Sequence, residues 1–218
     1  MLIARVARTL TQHPIGLKAL MAVSGVFLMG WITLHALGNL LVFLGPETIN
    51  TYGGALQGSA LLVAIRLGLV AALVTHIASA ITVIRRARAS RRRGYHRPLE
   101  AQASTHASRS MRTGGLALGL YTAYHLLHIY GPLHADYLSG DVHHNLVVGL
   151  SDPLSAGLYA GAAVVLGLHL HHGAWSTFRT LGYDGPFGGS LRRGTQTFAA
   201  GLTLAFLAPC GAALAGWL

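Results

Sequence analysis

The chain has 218 residues, 52% of them hydrophobic and only 10% charged, whereas a soluble domain carries about a quarter charged residues. The formal net charge is +10, which by itself would suit nucleic acid, and a single cysteine, Cys210, leaves no disulfide framework and no CxxCH haem-attachment motif. This is a membrane composition, and the distribution of its charges sets the nucleic-acid reading aside.

In chain order, Met1 to Lys18 carry Arg5, Arg8 and Lys18 and no acid. Pro14 and Gly16 are expected to break the end of this arm, which reads as an interfacial amphipathic turn. Ala19 to Gly45 is 27 residues without a charge, too long for a signal-peptide core of roughly 7–15 residues. It reads as a retained first membrane helix over 19–43, holding Ser24, His35 and Asn39. A polar loop with Glu47 follows. The second helix is expected at 61–84, with Arg66 and His76. The next loop holds nine arginines against one acid, Glu100. A third helix at 114–130 carries His125 and His128. The loop 131–153 has Asp136, Asp141 and Asp152 with His134, His143 and His144, and no Lys or Arg. The fourth helix, 154–178, has no charged side chain in 25 residues but three histidines, His169, His171 and His172. The fifth, 197–218, contains Pro209 and no histidine. The expected fold is all-α, a single domain over 1–218 built as a five-helix transmembrane bundle.

Five spans make the loops alternate sides. Of the 16 Lys and Arg, 15 fall in the N-terminal arm and the two loops on its side; four of the six acids fall opposite. The positive-inside rule then predicts a cytoplasmic N-terminus and an outside C-terminus. The arginines serve as orientation signals, and they suit anionic lipid or a partner at the cytoplasmic surface.

The histidines sort by depth. Counted from the flanking charges at 1.5 Å per residue, His35 and His125 lie about 25 and 20 Å from the cytoplasmic edge, and His76 and His169 about 14 and 15 Å. His35 with His125 forms an outer pair, His76 with His169 an inner pair, one histidine from each of the first four helices. Histidine inside a membrane is costly unless it is used. Two levels of paired imidazoles suit two bis-histidine haems, noncovalent and therefore b-type, whose filled coordination favours electron transfer. Gly115-xxx-Gly119 and Gly157-xxx-Gly161 offer room for a flat ring, although ordinary helix packing accounts for them equally well. His128 and His172, three residues on from His125 and His169, share their faces. They are alternative ligands one turn away, or hydrogen-bond partners for a propionate or a quinone. His171 lies on another face, and His134, His143 and His144 read as solvated loop residues.

The residues that carry a family resemblance are GLKALMAVSG leading to LHALGNLLVFLGPETINTYG, then LVTHIAS, YHLLH and LHLHHGAWSTF. With them the whole chain resembles the cytochrome b558 subunit of type B succinate:quinone oxidoreductases, the di-haem succinate dehydrogenase and fumarate reductase group. The histidine four residues before Gly-x-Trp-Ser selects His169, and the YHLLH stretch selects His125. The resemblance implies five helices, two haems b bound by His35, His125, His76 and His169, and a membrane anchor without flavin of its own. It implies a succinate dehydrogenase flavoprotein subunit and an iron–sulfur subunit docked on the cytoplasmic face. It also implies quinone, usually menaquinone, as redox partner, in a bacterial cytoplasmic membrane. No Asp or Glu lies inside an apolar core here, so a buried-carboxylate proton route is not carried over. Glu47, beside Asn50 and Tyr52, is the candidate proton-transfer group at an outer quinone site, with a solvated loop carboxylate as the plain alternative. Lys18, Arg85, Trp175 and Arg179 are the candidate propionate contacts. The competing readings are the di-haem anchor of a hydrogenase or formate dehydrogenase, and a histidine-lined metal-ion transporter.

Overall fold

The structure is a computed structural model that describes residues 13–90, 106–134, 136–183 and 188–218. Among these the regular elements are seven α-helices and one 3-10 turn: α1 Pro14–Leu40, tightening into the turn Leu41–Leu44, α2 Pro46–Gln57, α3 Ala60–Ala89, α4 His106–Ile129, α5 Val142–Ser151, α6 Pro153–Thr180 and α7 Gly188–Leu214. Four helical segments are long and apolar enough to cross a membrane: Pro14–Leu44, α3, α6 and α7. The fifth long helix, α4, has 24 residues, about 36 Å at 1.5 Å per residue. Its first two turns hold Arg109 and Arg112, which lowers its hydropathy. The N-terminal arm through Gln12 and Arg91, Arg92, Arg93, Arg97 and Glu100 of the basic loop lie outside the described residues.

Local chemistry sets the helix boundaries, and it moves several of them from where charge-free runs alone had put them. Pro14 starts α1 instead of breaking the arm before it. Proline is favoured at the first helical position, where its missing N–H would be unpaired anyway. Two segments expected as polar loops contain short helices. α2 starts at Pro46 behind Gly45, whose φ of 93° turns the chain, with Glu47 in its first turn. α5 is capped by Asp141, whose Oδ1 accepts from the His144 N–H at 2.9 Å. Asp152 caps α6 in the same way through the Ser155 N–H at 2.8 Å, ahead of Pro153. The long helices also extend past the predicted basic ends, because arginine is a good helix former and its charge does not stop a helix.

α6 is the central element. It packs against α4, α7 and α1, while α1 also packs against α3 and α7. Ala36, Leu170, Ala199 and Leu202 form the buried cluster where α1, α6 and α7 meet. Alanines here let the backbones approach closely. α3 is held chiefly by α1, and α4 by α6. Neither α3 with α4 nor the diagonal pairs α1–α4 and α3–α6 pack extensively. Leu61, Val63, Leu67, Val70, Val74 and Ile81 of α3 are exposed. Such a surface belongs in lipid rather than in water.

α2 and α5 cover one end of the bundle. Asn50 ties them together: its amide donates to Asp141 Oδ1 at 3.0 Å, and its carbonyl oxygen accepts from the His143 N–H at 2.9 Å.

Candidate functional site

Two imidazole pairs lie across the diagonals of the bundle. His35 of α1 and His125 of α4 have ring centroids 5.8 Å apart at 78°. His76 of α3 and His169 of α6 have centroids 6.4 Å apart at 64°. Their helices barely touch, so each pair bridges a gap that backbone packing leaves open. The pairs are those expected from depth, but their spacing differs. Gly25 of α1 lies beside His76, and Gly115 of α4 beside His169; Tyr159 of α6 lies beside His125. Ten residues separate the two levels on each of α1, α4 and α6, which is about 15 Å. The sequence count gave about half that. Its reference charges, Lys18 and Arg112, sit inside helices that begin at Pro14 and His106.

The residues fit two haem irons. Two imidazoles bound on opposite sides of one metal, at about 2 Å per bond, bring their centroids roughly 6 Å apart. A haem iron takes four nitrogens from its porphyrin and needs only two from the protein, whereas bare zinc takes three or four. The other ring nitrogen of a ligand histidine is normally held by a carbonyl, carboxylate or hydroxyl group. At the inner level His76 Nδ1 has the Met21 carbonyl at 3.0 Å and Ser24 Oγ at 3.3 Å. At the outer level His125 Nδ1 has Tyr159 Oη at 3.0 Å. In both, Nε2 is the nitrogen left for a metal. His169 Nδ1 is buried with no hydrogen-bond partner among the described residues. Close approach of α1 to the inner level depends on Gly25, where a Cβ would stand 3.3 Å from His76 Cε1. A pocket of about 220 Å³ beside His169 is lined by Thr113, Gly114, Ala117, Val165 and Leu168.

The remaining candidates are scattered. His128 is 5% exposed, and its Nδ1 lies 3.0 Å from the same Tyr159 hydroxyl. His172 is half-buried on α6. Lys18, Arg85 and Arg179 are exposed at the basic ends of α1, α3 and α6. Trp175 lies against Gly188 at the start of α7. Glu47 is exposed in the first turn of α2, where a negative charge suits the helix N-terminus. Gly119, Gly157 and Gly161 have nothing within 4 Å of where a Cβ would be.

His134 corrects its expected place. It is 7% exposed, not solvated. Its Nε2 lies 2.9 Å from the Asn145 carbonyl, and its ring lies 5.0 Å from that of His128. Gly149 makes room for both rings: a Cβ there would stand 2.8 Å from His128 Cε1 and 2.9 Å from His134 Nε2. These groups line a pocket of about 190 Å³ with Asp136, Asp152 and Ser155. Asp141 and Asp152 at this end are held below the usual carboxylate range, first by the backbone N–H groups of His144 and Ser155 respectively. Sequence reasoning did not find Tyr159. The signal was there, since Tyr159 lies ten residues before His169 on the same helix and so at the depth of His125.

Comparison with protein-family models, curated proteins and solved structures finds no match.

Proposed function

We propose that the chain is a di-haem cytochrome b membrane anchor, of the succinate:quinone oxidoreductase kind that its motifs resemble, with α4 as a fifth span. One observation carries the reading: two imidazole pairs, at 5.8 and 6.4 Å, on diagonal helices that otherwise hardly meet. His35 and His125 would hold one haem b and His76 and His169 the other. Each haem supplies a one-electron redox centre. The protein's own part is to fix the rings. Met21 and Ser24 hold His76, Tyr159 holds His125, and Gly25 lets the inner level close up. Electrons would pass between the basic end and a quinone at the acidic end, in one direction or the other, menaquinone being the family's usual quinone. The basic end would face the cytoplasm of a bacterial cell and receive the iron–sulfur subunit, itself bound to the flavoprotein.

Two measurements test this. The purified complex is expected to show two low-spin haem b signals; a fully loaded preparation with one or none defeats the reading. Both haems are expected to be reduced by succinate. Reduction by hydrogen or formate instead would keep the haems and move the chain to another dehydrogenase.

A further inference from the structure

We infer that Tyr159 is the positioning residue of the outer histidine pair, orienting His125 through its Nδ1 and linking it by the same hydroxyl to His128. This rests on reading His125 as an iron ligand. Tyr159 Oη lies 3.0 Å from His125 Nδ1 and 3.0 Å from His128 Nδ1. The single phenol hydrogen constrains the directions. A phenol has one hydrogen to donate, so at least one of the two rings donates to its oxygen. A neutral imidazole that offers Nε2 to a metal carries its hydrogen on Nδ1. His125 Nδ1–H therefore donates to Tyr159, and the arrangement that also uses the Tyr159 hydrogen has its O–H donating to His128 Nδ1, with the His128 hydrogen on Nε2. What marks His125 as the ligand rather than its neighbour one turn on is its ring, which faces His35 across the bundle.

Packing holds this arrangement. The Tyr159 ring meets Tyr121, His125 and His128 edge-on at 5.4, 5.6 and 5.5 Å. Tyr121 stacks on His125 at 5.7 Å and Tyr124 on His128 at 5.5 Å. Beyond His128 lies His134, whose Nε2–H donates to the Asn145 carbonyl and whose buried Nδ1, left as an acceptor, has no partner among the described residues. The hydrogen-bonded line from His125 thus ends at the pocket walled by His128, His134 and Asp152. The inner pair has no such line; His76 Nδ1 rests on a backbone carbonyl.

A ligand imidazole that donates to a good acceptor is a more basic ligand, and a hydroxyl that itself donates onward is a better acceptor. Tyr159→Phe keeps the ring and removes only the oxygen. In the purified holo-complex it is expected to favour ferrous over ferric outer haem by about tenfold, an upward shift of about 59 mV for one electron, and to move the outer low-spin resonance. The inner haem should titrate and resonate unchanged. His128→Gln, which retains an acceptor for Tyr159, should shift the outer centre in the same sense by less. Loss of the outer haem alone in Tyr159→Phe supports the inference equally. An outer centre identical to the parent in potential and resonance overturns it. Where Tyr159→Phe does not assemble, His128→Gln decides: an outer shift supports the inference and no shift overturns it. An unsubstituted complex without two haems sinks the underlying reading as well, and that failure is read on the parent protein alone.

Discussion

The inner and outer histidine pairs are alike in ring spacing and different in what stands behind them. Behind the inner His76 is the backbone, the Met21 carbonyl, with the Ser24 hydroxyl slightly further off. Behind the outer His125 is a side chain, Tyr159, then a second imidazole and then a polar pocket. A backbone carbonyl cannot be changed by substitution and has nowhere to pass a hydrogen on to. A phenol can do both. The inner level is therefore built to stay constant, and the outer level to be tuned and to communicate with the acidic end.

The largest effects are expected from removing one ring. His76→Ala or His169→Ala should abolish the inner haem signal and leave the outer; His35→Ala or His125→Ala should do the reverse. Loss of both signals from any one of them would mean that the levels are not independent. Overpacking comes next. Gly149→Ala places a methyl against two outer imidazoles and should cost about 1–3 kcal/mol, seen as a lower thermal midpoint in detergent together with a shifted outer resonance. Gly25→Ala meets one ring edge at 3.3 Å and should lie nearer ~1 kcal/mol, with any spectral change confined to the inner haem. The smallest effect is expected at Asp141, which caps α5 and holds Asn50. Asp141→Ala should cost roughly 0.5 kcal/mol, the low end for a lost cap. Its pH dependence has a definite sign. The folded pKa is depressed, so the contribution is complete above the unfolded value of about 3.9 and is lost as pH falls through the lower folded value. Acid titration of the alanine variant should show a shallower loss of stability below pH ~4 than the parent.

Much of this was legible in the sequence. Charge-free runs located the long helices, counting from flanking charges sorted the histidines into two depths, and the family resemblance chose His125 and His169 among their neighbours. The counting failed in scale because arginine and lysine mark where a membrane is expected to end, not where a helix does. α2 and α5 were hidden in polar loops: ten or twelve mixed residues carry no membrane signal, and Pro46 and Asp141 were the cues to read instead. His134 belongs to a loop by sequence yet is buried, because its Nε2 reaches the Asn145 carbonyl of α5. Tyr159 is not marked by any motif, because the groups that orient a ligand come from a neighbouring helix and leave no fixed spacing.

α3 is fastened chiefly along α1 and α4 along α6, with little direct grip between the two or across the diagonals. A porphyrin wedged between facing imidazoles would supply the missing crossbeam at each storey. Loading would then be the last step of construction rather than a later accessory, since a ligand that binds only the assembled form adds its binding energy to that form. Newly inserted chains starved of haem should stand with their two outlying helices ajar and fall to quality-control proteases first.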